Sequence, residues 1–436
     1  MVGIVSSHAT SQPDPDQPPR ANVLARAGSS LRISRNFRFL WLSNLFFIGG
    51  NWALTLVLGW LVFETTGSEL LLAVFTAVRL SPMWLGPLSG LMADRFDRVG
   101  IIKMATAWMF LVLALLSVLV MLDATPYWLL IVFGFFAGLG PSPSQPARTS
   151  LVLQLVGRKN LANANALNSM GMGITQAIAP AVAGVVISRF GVEWALWYGS
   201  LWFAVALVLI WQVRMSHQTV RVESVPILSM LTDGLRIVMQ NRLSATVIIV
   251  TLAANILIWP IYQSFMPVFA SDVLDLGPAG LGRLMMFVGV GSFVGSFVIA
   301  SLGDFRFKGA MFIYGSMIWG AGWAMFGLST SVWISYALIL CIGFISAAFG
   351  VLQSTLMLMT SVPEVQGRAL GILELAIGAM PIGTLLLGAI ANSVGVGRTT
   401  FAAGLIFVGI LAVHAIRVPD LTRYTGEDFE PQVARA

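Results

Sequence analysis

Two charged residues stand inside long apolar stretches of the sequence. Glu374 lies about eight residues into the stretch 367–391, and Arg79 lies within the stretch 70–92. At ~1.5 Å per helical residue, Glu374 would be roughly 12 Å deep. A charge at a bilayer centre costs about 2.5–3.5 kcal/mol or more, so both residues are candidates for function. Burial favours a neutral carboxyl, which would let Glu374 carry a proton as its surroundings alternate between wet and dry.

A structural role explains Glu374 equally well, because a neighbouring helix could supply a partner for its carboxylate. Arg79 is one possible partner, although the two residues are expected at different depths. The sequence leaves both alternatives open, and we take Glu374 and Arg79 as the candidates for proton coupling.

A second group of charges follows the stretch 70–92. The loop Gly90-Leu-Met-Ala-Asp94-Arg95-Phe-Asp97-Arg98 combines carboxylates with cations, and Asp304 is followed four residues later by Lys308 just as Asp94 is by Arg98. The simplest interpretation is that these charges terminate helices at the edge of an apolar layer.

The composition of the sequence predicts which secondary-structure elements hold these residues. Charged residues make up 10% of the 436 positions, whereas soluble domains carry about 25%. Several apolar blocks exceed the ~20 residues needed to cross hydrocarbon. Charges and turn residues between the blocks predict an all-α integral membrane protein with twelve transmembrane helices, near residues 37–63, 70–92, 99–122, 126–148, 162–188, 194–213, 244–270, 278–302, 309–328, 332–360, 367–391 and 399–417.

The basic residues are distributed unequally between the two ends of these helices. With twelve spans both termini lie on one side, and 21 of the 25 Lys and Arg fall on that side, including Arg148 at the predicted end of the fourth span. Because an excess of Lys and Arg marks cytoplasmic loops, both termini are predicted to be cytoplasmic, in a cell inner membrane.

A polar stretch at 214–243 divides the chain into two comparable halves. It predicts six-helix bundles at 31–213 and 244–417, a cytoplasmic linker between them, a disordered tail at 1–30 and a second tail at 418–436. The halves share the Asp94 and Asp304 loops, the prolines Pro180 and Pro381, and the seven-residue glycine spacings Gly184–Gly191 and Gly388–Gly395. Parallel repeats around a central site are a transporter design.

The loop 90–98 resembles the signature Gly-x3-Asp-Arg-x-Gly-Arg of the major facilitator superfamily, with Asp97 in place of the second glycine. An acidic residue there is similar to the branch that contains the enterobactin exporter and macrolide efflux proteins. Two further stretches resemble that branch: Asn163-Ala-Asn165-Ala-Leu167 leading into Pro180-Ala-Val-Ala-Gly184, and Pro363-Glu-Val-Gln-Gly367-Arg368-Ala-Leu-Gly371. The resemblance implies two pseudo-symmetric six-helix repeats in the major facilitator fold.

The resemblance also implies roles for particular residues. Asp94 would interact with the cytoplasmic start of the eleventh span and hold a gate closed. A carboxylate near a helix N-terminus is stabilised by about 0.3–1 kcal/mol, which is weak enough to break in every cycle. The gating candidates are Asp94, Arg95, Arg98, Asp304, Lys308 and Arg368.

In that fold, spans one, four, seven and ten line the central cavity. Their polar and aromatic residues would form a large, weakly charged cavity suited to bulky amphipathic molecules, although each residue singly could serve helix–helix contact. The cavity candidates are Asn44, Asn51, Trp52, Gln145, Asn255, Trp259, Tyr262, Gln263 and Gln353.

Enzyme signatures are absent from the sequence. No Lys follows a Gly, so there is no Walker A motif, and no Gly-x-Ser-x-Gly elbow occurs; His8, His217 and His414 are isolated. We therefore expect no enzyme activity, no cofactor, no metal site and no nucleic-acid partner. The expected partners of the monomer are a small-molecule substrate, protons and lipid.

The sequence as a whole favours a secondary exporter of a siderophore or hydrophobic drug, working by rocker-switch alternating access and proton antiport. Two alternatives stay open: an importer or facilitator of the same fold, and a transport-inactive membrane sensor or assembly partner.

Replacement of Asp94 by asparagine should slow transport while leaving the protein folded, because the neutral amide loses the attraction to the start of the eleventh span. Transport by purified protein in liposomes, compared with its thermal unfolding, measures this. A folded Asp94→Asn protein that transports at the original rate contradicts the gating role.

Overall fold

The structure is a computed structural model that describes residues 31, 34–85, 96–214, 235–236, 238–302, 305–361 and 366–424. Within these residues every regular element is a helix. Residues 90–95 of the predicted loop, residues 215–234 of the predicted linker 214–243, the tail 1–30 and residues 425–436 of the second tail lie outside this part, and so do Asp94, Arg95 and Asp304 of the gating set. The predicted linker and second tail are wrong where they overlap helices, at Arg242 and at Pro419–Arg423.

The helices follow the predicted spans closely. We number them α1 Arg35–Thr66, α2 Glu69–Leu80, α3 Arg98–Met121, α4 Tyr127–Gly157, α5 Leu167–Phe190, α6 Val192–Trp211, α7 Arg242–Val273, α8 Gly277–Leu302, α9 Lys308–Leu328, α10 Val332–Met359, α11 Gln366–Val394, α12 Val396–Arg417 and α13 Pro419–Arg423.

Eleven helices of the described residues are long and apolar enough to cross a membrane. The second predicted span appears as α2 and the 3-10 turn Ser81–Leu85, and its expected continuation to residue 92 lies outside the described residues. We call the end of the bundle where α1 begins and α12 ends the terminal face, and the other end the opposite face.

Polar caps begin several helices at the terminal face. The hydroxyl of Ser34 accepts from the Phe37 N–H at the start of α1, and the Asp97 carboxylate accepts from Val99 and Gly100 at the start of α3. These side chains replace the missing backbone partners of a first helical turn. The acidic residue that distinguishes this loop from the general signature therefore has a local role in starting α3.

The predicted end of the fourth span at residue 148 is wrong. Helix α4 continues to Gly157, where a φ of +71° breaks the helical run before α5. Arg148 was taken as a loop residue because of its charge, but it lies inside α4 and is 3% exposed. Without it, 20 of the 25 Lys and Arg remain on the terminal side.

Two helices are interrupted at proline. Helix α7 changes to π-helical turns after Pro260, and α11 divides into Gln366–Ile377 and Met380–Val394 just before Pro381. Proline frees a backbone carbonyl, which must find another partner inside the protein. At the break in α11 the neighbouring Gly378 carbonyl has a partner in the first half, which is described below.

Helices α1–α6 contact one another, mainly through α1 with α5 and α6 and through α3 with α6. Helices α7–α12 do the same, through α8 with α10, α9 with α10 and α12, and α7 with α11 and α12. The two sets, called here the first and second halves, meet mainly where α5 contacts α8 and α2 contacts α11.

Equivalent glycines of the two halves form these contacts. Gly184 of α5 lies against the backbone of Pro278 and Gly282 in α8, and Gly388 of α11 lies against Ala73 of α2. Absent side chains let the helices approach closely, which strengthens packing within a membrane. The second member of each glycine pair, Gly191 or Gly395, ends its helix at a positive φ of 95° or 86°.

Replacement of Gly289 by alanine should destabilise the protein by about 1–3 kcal/mol, because the new methyl group would overlap the Ala177 backbone across the α5–α8 contact. Thermal unfolding in detergent measures the change. Gly315→Ala in α9 is the matched control, because a methyl group there meets no atom of the described chain within 4 Å. Equal unfolding temperatures for the two variants would contradict the packing role.

Candidate functional site

An aromatic cluster lies where the two halves meet. The rings of Trp52 and Tyr262 are 5.7 Å apart, Trp259 and Tyr262 are 6.3 Å apart, and Trp259 and Trp319 are 5.8 Å apart. Trp52 belongs to α1, whereas the others belong to α7 and α9. The structure thus brings together three of the predicted cavity residues and adds Trp319, which no sequence pattern distinguishes from the other tryptophans.

A polar contact between the halves accompanies this cluster. The Gln176 amide of α5 donates to the Tyr262 hydroxyl at 3.1 Å, and both side chains are buried. Gln176 was not predicted, because the cavity prediction covered only spans one, four, seven and ten. The contact connects the aromatic cluster to the close packing of α5 against α8.

Arg79 lies between α1, α2 and α4 and is 9% exposed. Its Nη2 donates to the Thr55 hydroxyl at 2.7 Å, and its backbone carbonyl fits against Gly138 of α4. The Arg79–Glu374 pair considered from the sequence is not formed in this conformation. Among the described residues Arg79 has no carboxylate partner.

Arg148 is a second buried cation of the first half. It donates to the Asn44 side chain and to the Thr106 hydroxyl at 3.0 Å, and its guanidinium lies 4.2 Å from the Phe47 ring centre. Asn44 is therefore a partner of Arg148 within the bundle rather than a free cavity group. A guanidinium held by two hydrogen bonds and an aromatic face is anchored in one place.

The break in α11 contacts the 3-10 turn that follows α2. The Trp84 indole N–H donates to the Gly378 carbonyl at 2.7 Å. Pro381 cannot donate, and the Ile382 N–H turns to the Ala379 carbonyl, so the Gly378 carbonyl takes its partner from the first half. This hydrogen bond joins the two halves, and no sequence pattern predicted it.

Glu374 lies one turn before Gly378 and is exposed. Gly367, Gly371, Glu374 and Gly378 recur at three- and four-residue spacing, so they share one side of α11. Methyl groups added at Gly367 and Gly371 would meet no described atom within 4 Å. The side of α11 that meets the first half at Gly378 is therefore open around Glu374, which has no ion-pair or hydrogen-bond partner in the described chain.

The other predicted cavity residues fall into separate groups. Gln145 is exposed on α4, and Asn51 donates to the Phe47 carbonyl of its own helix. Asn255 donates to the Thr251 carbonyl, while Thr251 lies 3.5 Å from the Gln353 amide oxygen. Side-chain oxygens of Asn255 and Gln263 are buried without a partner in the described chain.

Three gating candidates are described. Arg98 and Lys308 are the first residues of α3 and α9, and Lys308 lies 5.7 Å from the Phe305 ring centre. Arg368 is partly buried in the first turn of α11. Arg98 and Lys308 begin equivalent helices of the two halves, as the repeat predicts. The interaction of these three residues with Asp94, Arg95 and Asp304 stays a prediction.

Solved transporter structures share this fold. A mutant form of the nucleoside transporter NupG matches with a TM-score of 0.68 at 14% identity, covering 89% of this chain and 100% of that one. A peptide-transporter-family (POT) protein in complex with 5-aminolevulinic acid matches with a TM-score of 0.72 at 12% identity, covering 89% and 97%. At these identities the likeness concerns the fold alone. The fold is that of a multi-pass membrane protein of the major facilitator type.

Sequence relatives narrow the class. The Mycolicibacterium fortuitum multidrug efflux pump Tap is 23% identical over 384 residues, 85% of this chain and 93% of that protein. The Staphylococcus aureus staphyloferrin A transporter is 21% identical over 86% and 94%, and the Shigella flexneri enterobactin exporter EntS is 26% identical over 74% and 77%. The family described as "Transmembrane secretion effector" matches residues 28–433, so the chain belongs to it.

This membership confirms the resemblance to the major facilitator superfamily and to its branch of efflux proteins. It also confirms that the chain is a transporter rather than an enzyme.

Replacement of Trp84 by phenylalanine should reduce the population of the present conformation, because it removes one hydrogen bond between the halves. A loss of about 0.5–1.5 kcal/mol shifts a two-state ratio about two- to tenfold. Cys341 is the single cysteine, so its replacement by serine permits spin labels at Thr149→Cys, exposed on α4, and at Thr355→Cys, half-buried on α10. Pulsed electron spin resonance then measures the distance distribution.

Trp108→Phe is the matched control. Its indole N–H donates to the Phe136 carbonyl at 2.8 Å within the first half, so its loss should leave the distance distribution unchanged. Identical distributions for Trp84→Phe and the original protein would contradict a role of this contact in the conformational balance.

Proposed function

We propose that the protein exports a small organic molecule across a bacterial cytoplasmic membrane by alternating access, coupled to the entry of protons. In this proposal each half is a rigid six-helix bundle, the terminal face is cytoplasmic, and the halves rock about their contacts. The basic residues on the terminal side support the orientation, since 20 of the 25 Lys and Arg belong there.

The observation that carries the proposal is the unequal contact between the halves. Near the opposite face, Gly184 and Gly388 bring the helix pairs together, and Gly59 of α1 approaches Pro267 of α7. Toward the terminal face Gly173 of α5 still lies against Phe293 of α8, whereas Gly367 and Gly371 of α11 have no described atom within 4 Å. The proposal takes this terminal part of α11 as the place where the halves separate.

Glu374 is placed to respond to the switch. It stands on the open side of α11, next to the turn that already contacts the first half at Trp84. Closure of the terminal side would dehydrate the carboxyl, and an ionised carboxylate without a partner is costly in a dry interface. In the state closed at the terminal side Glu374 therefore binds a proton from outside the cell, and reopening of the terminal side hydrates the carboxyl and releases that proton to the cytoplasm.

The names of the relatives support export and the substrate class. They include a multidrug efflux pump, a macrolide efflux protein and an enterobactin exporter. The partly aromatic and largely uncharged centre suits a siderophore or a hydrophobic drug better than a sugar, which needs many hydrogen-bond partners. The protein is expected to work as a monomer, because one chain supplies both halves of the site.

Glu374→Gln should abolish pH-driven uptake into inverted membrane vesicles while leaving substrate exchange intact. The neutral amide can be buried when the interface closes, but it carries no proton. Radiolabelled enterobactin, staphyloferrin A and a macrolide are the probes. Uptake is measured with and without an imposed pH gradient, and exchange is measured between loaded vesicles and medium.

Glu64→Gln, an exposed position near the end of α1, is the matched control and should behave as the original protein does. Loss of both activities in Glu374→Gln, or of neither, contradicts proton coupling. Uptake into right-side-out vesicles in place of inverted ones would favour the importer.

A further inference from the structure

The charge balance inside the first half is incomplete. Arg79 is buried, with 9% of its surface exposed, and it uses one side-chain hydrogen bond, to Thr55. A guanidinium has five N–H donors. A buried charge is normally paired, because an unpaired one pays a large desolvation cost. No carboxylate of the described chain pairs with Arg79, so the partner that its positive charge lacks is an anion.

Arg148 also lacks a carboxylate partner in the described chain, and its Nε is buried without a hydrogen bond there. Asn44, Thr106 and the Phe47 ring surround it, and it is 3% exposed. These contacts leave Arg148 almost no accessible surface. Arg79 has a single partner and retains accessible surface, so it is the cation that can receive a group from outside the chain.

Thr55 sets the direction in which Arg79 points. The Thr55 hydroxyl donates to the Asn51 carbonyl at 2.9 Å, so its oxygen lone pairs are left to accept from Arg79. Trp52 lies three residues before Thr55, which places it about one turn away on the same side of α1. The guanidinium is therefore held about one helical turn from the ring that faces Tyr262.

We infer that Arg79 binds an anionic group, in particular a carboxylate, of the transported molecule, while Trp52 and Tyr262 contact its planar apolar part. The geometry assigns a mixed site with one cation of the first half beside aromatic side chains contributed by both halves. Arginine suits this role because its planar fork matches a carboxylate. The inference rests on the proposed function only for the statement that the bound molecule is also the transported one.

The test is an equilibrium binding measurement, so its outcome is separate from that of the vesicle experiment. Radiolabelled salicylate and 1-naphthoate are dialysed against purified protein in detergent, each beside its uncharged amide. The original protein should bind the carboxylates at least about tenfold more tightly than the amides, as expected for a charge-assisted hydrogen bond. Equal binding of acid and amide, or binding of neither, overturns the inference.

Arg79→Gln should lower the affinity for the carboxylates about tenfold or more and leave that for the amides unchanged. Arg283→Gln is the matched control, because Arg283 is exposed near the start of α8. Thr55→Val, which removes the orienting hydroxyl, should weaken carboxylate binding in the same direction and is the second variant if Arg79→Gln fails to fold. Unchanged carboxylate binding in a folded Arg79→Gln protein overturns the inference.

An anionic lipid headgroup could offer the same chemistry as a substrate carboxylate. Dihexanoyl phosphatidylglycerol added to the dialysis distinguishes the two sources. Salicylate binding that persists at a lipid concentration equal to that of salicylate supports a substrate site. Displacement of salicylate by the lipid at that concentration assigns the position to lipid and overturns the inference.

Discussion

Close backbone contact between helices of the two halves governs the arrangement of the site. Lipid gives apolar helices no hydrophobic reason to associate, so their association depends on van der Waals packing and polar contacts. Gly184, Gly289 and Gly388 permit such packing in the α5–α8 and α2–α11 pairs. Gly184 and Gly388 lie toward the opposite face, and Gly173 extends the α5–α8 contact toward the terminal face by lying against Phe293. The aromatic cluster and the Gln176–Tyr262 hydrogen bond belong to the same interface.

The charges of this interface differ between the halves. The first half contributes the cation Arg79, and the second contributes the carboxyl of Glu374, which does not pair with it in this conformation. In the proposed cycle an anion leaves the cytoplasm and a proton enters it. Both movements carry positive charge inward, and each elementary charge gains about 2.3 kcal/mol per 100 mV of an inside-negative membrane potential. An anionic substrate would therefore draw on the voltage as well as on the pH gradient.

Hydropathy and charge predicted the helices because hydrocarbon imposes a minimum length and excludes most ions. The same reasoning misplaced the end of α4, because it treated Arg148 as a loop residue. It could not foresee that Asn44, Thr106 and Phe47 surround this side chain inside the bundle. Trp52, Trp259 and Tyr262 were predicted as cavity residues from a family resemblance. Trp84 was not predicted because its partner is a backbone carbonyl at the break in α11, and a pairing between residues so far apart in the chain leaves no periodic pattern in a sequence.

The junctions at Gly191 and Gly395 leave no spare chain on the opposite face. A single residue connects α5 to α6, and a single residue connects α11 to α12. One inserted residue would turn the following helix by about 100°, which would expose its packed side to lipid. These corners are consequently poor places for epitope tags or fused reporter domains, and they offer little extramembrane surface to an antibody or a protease.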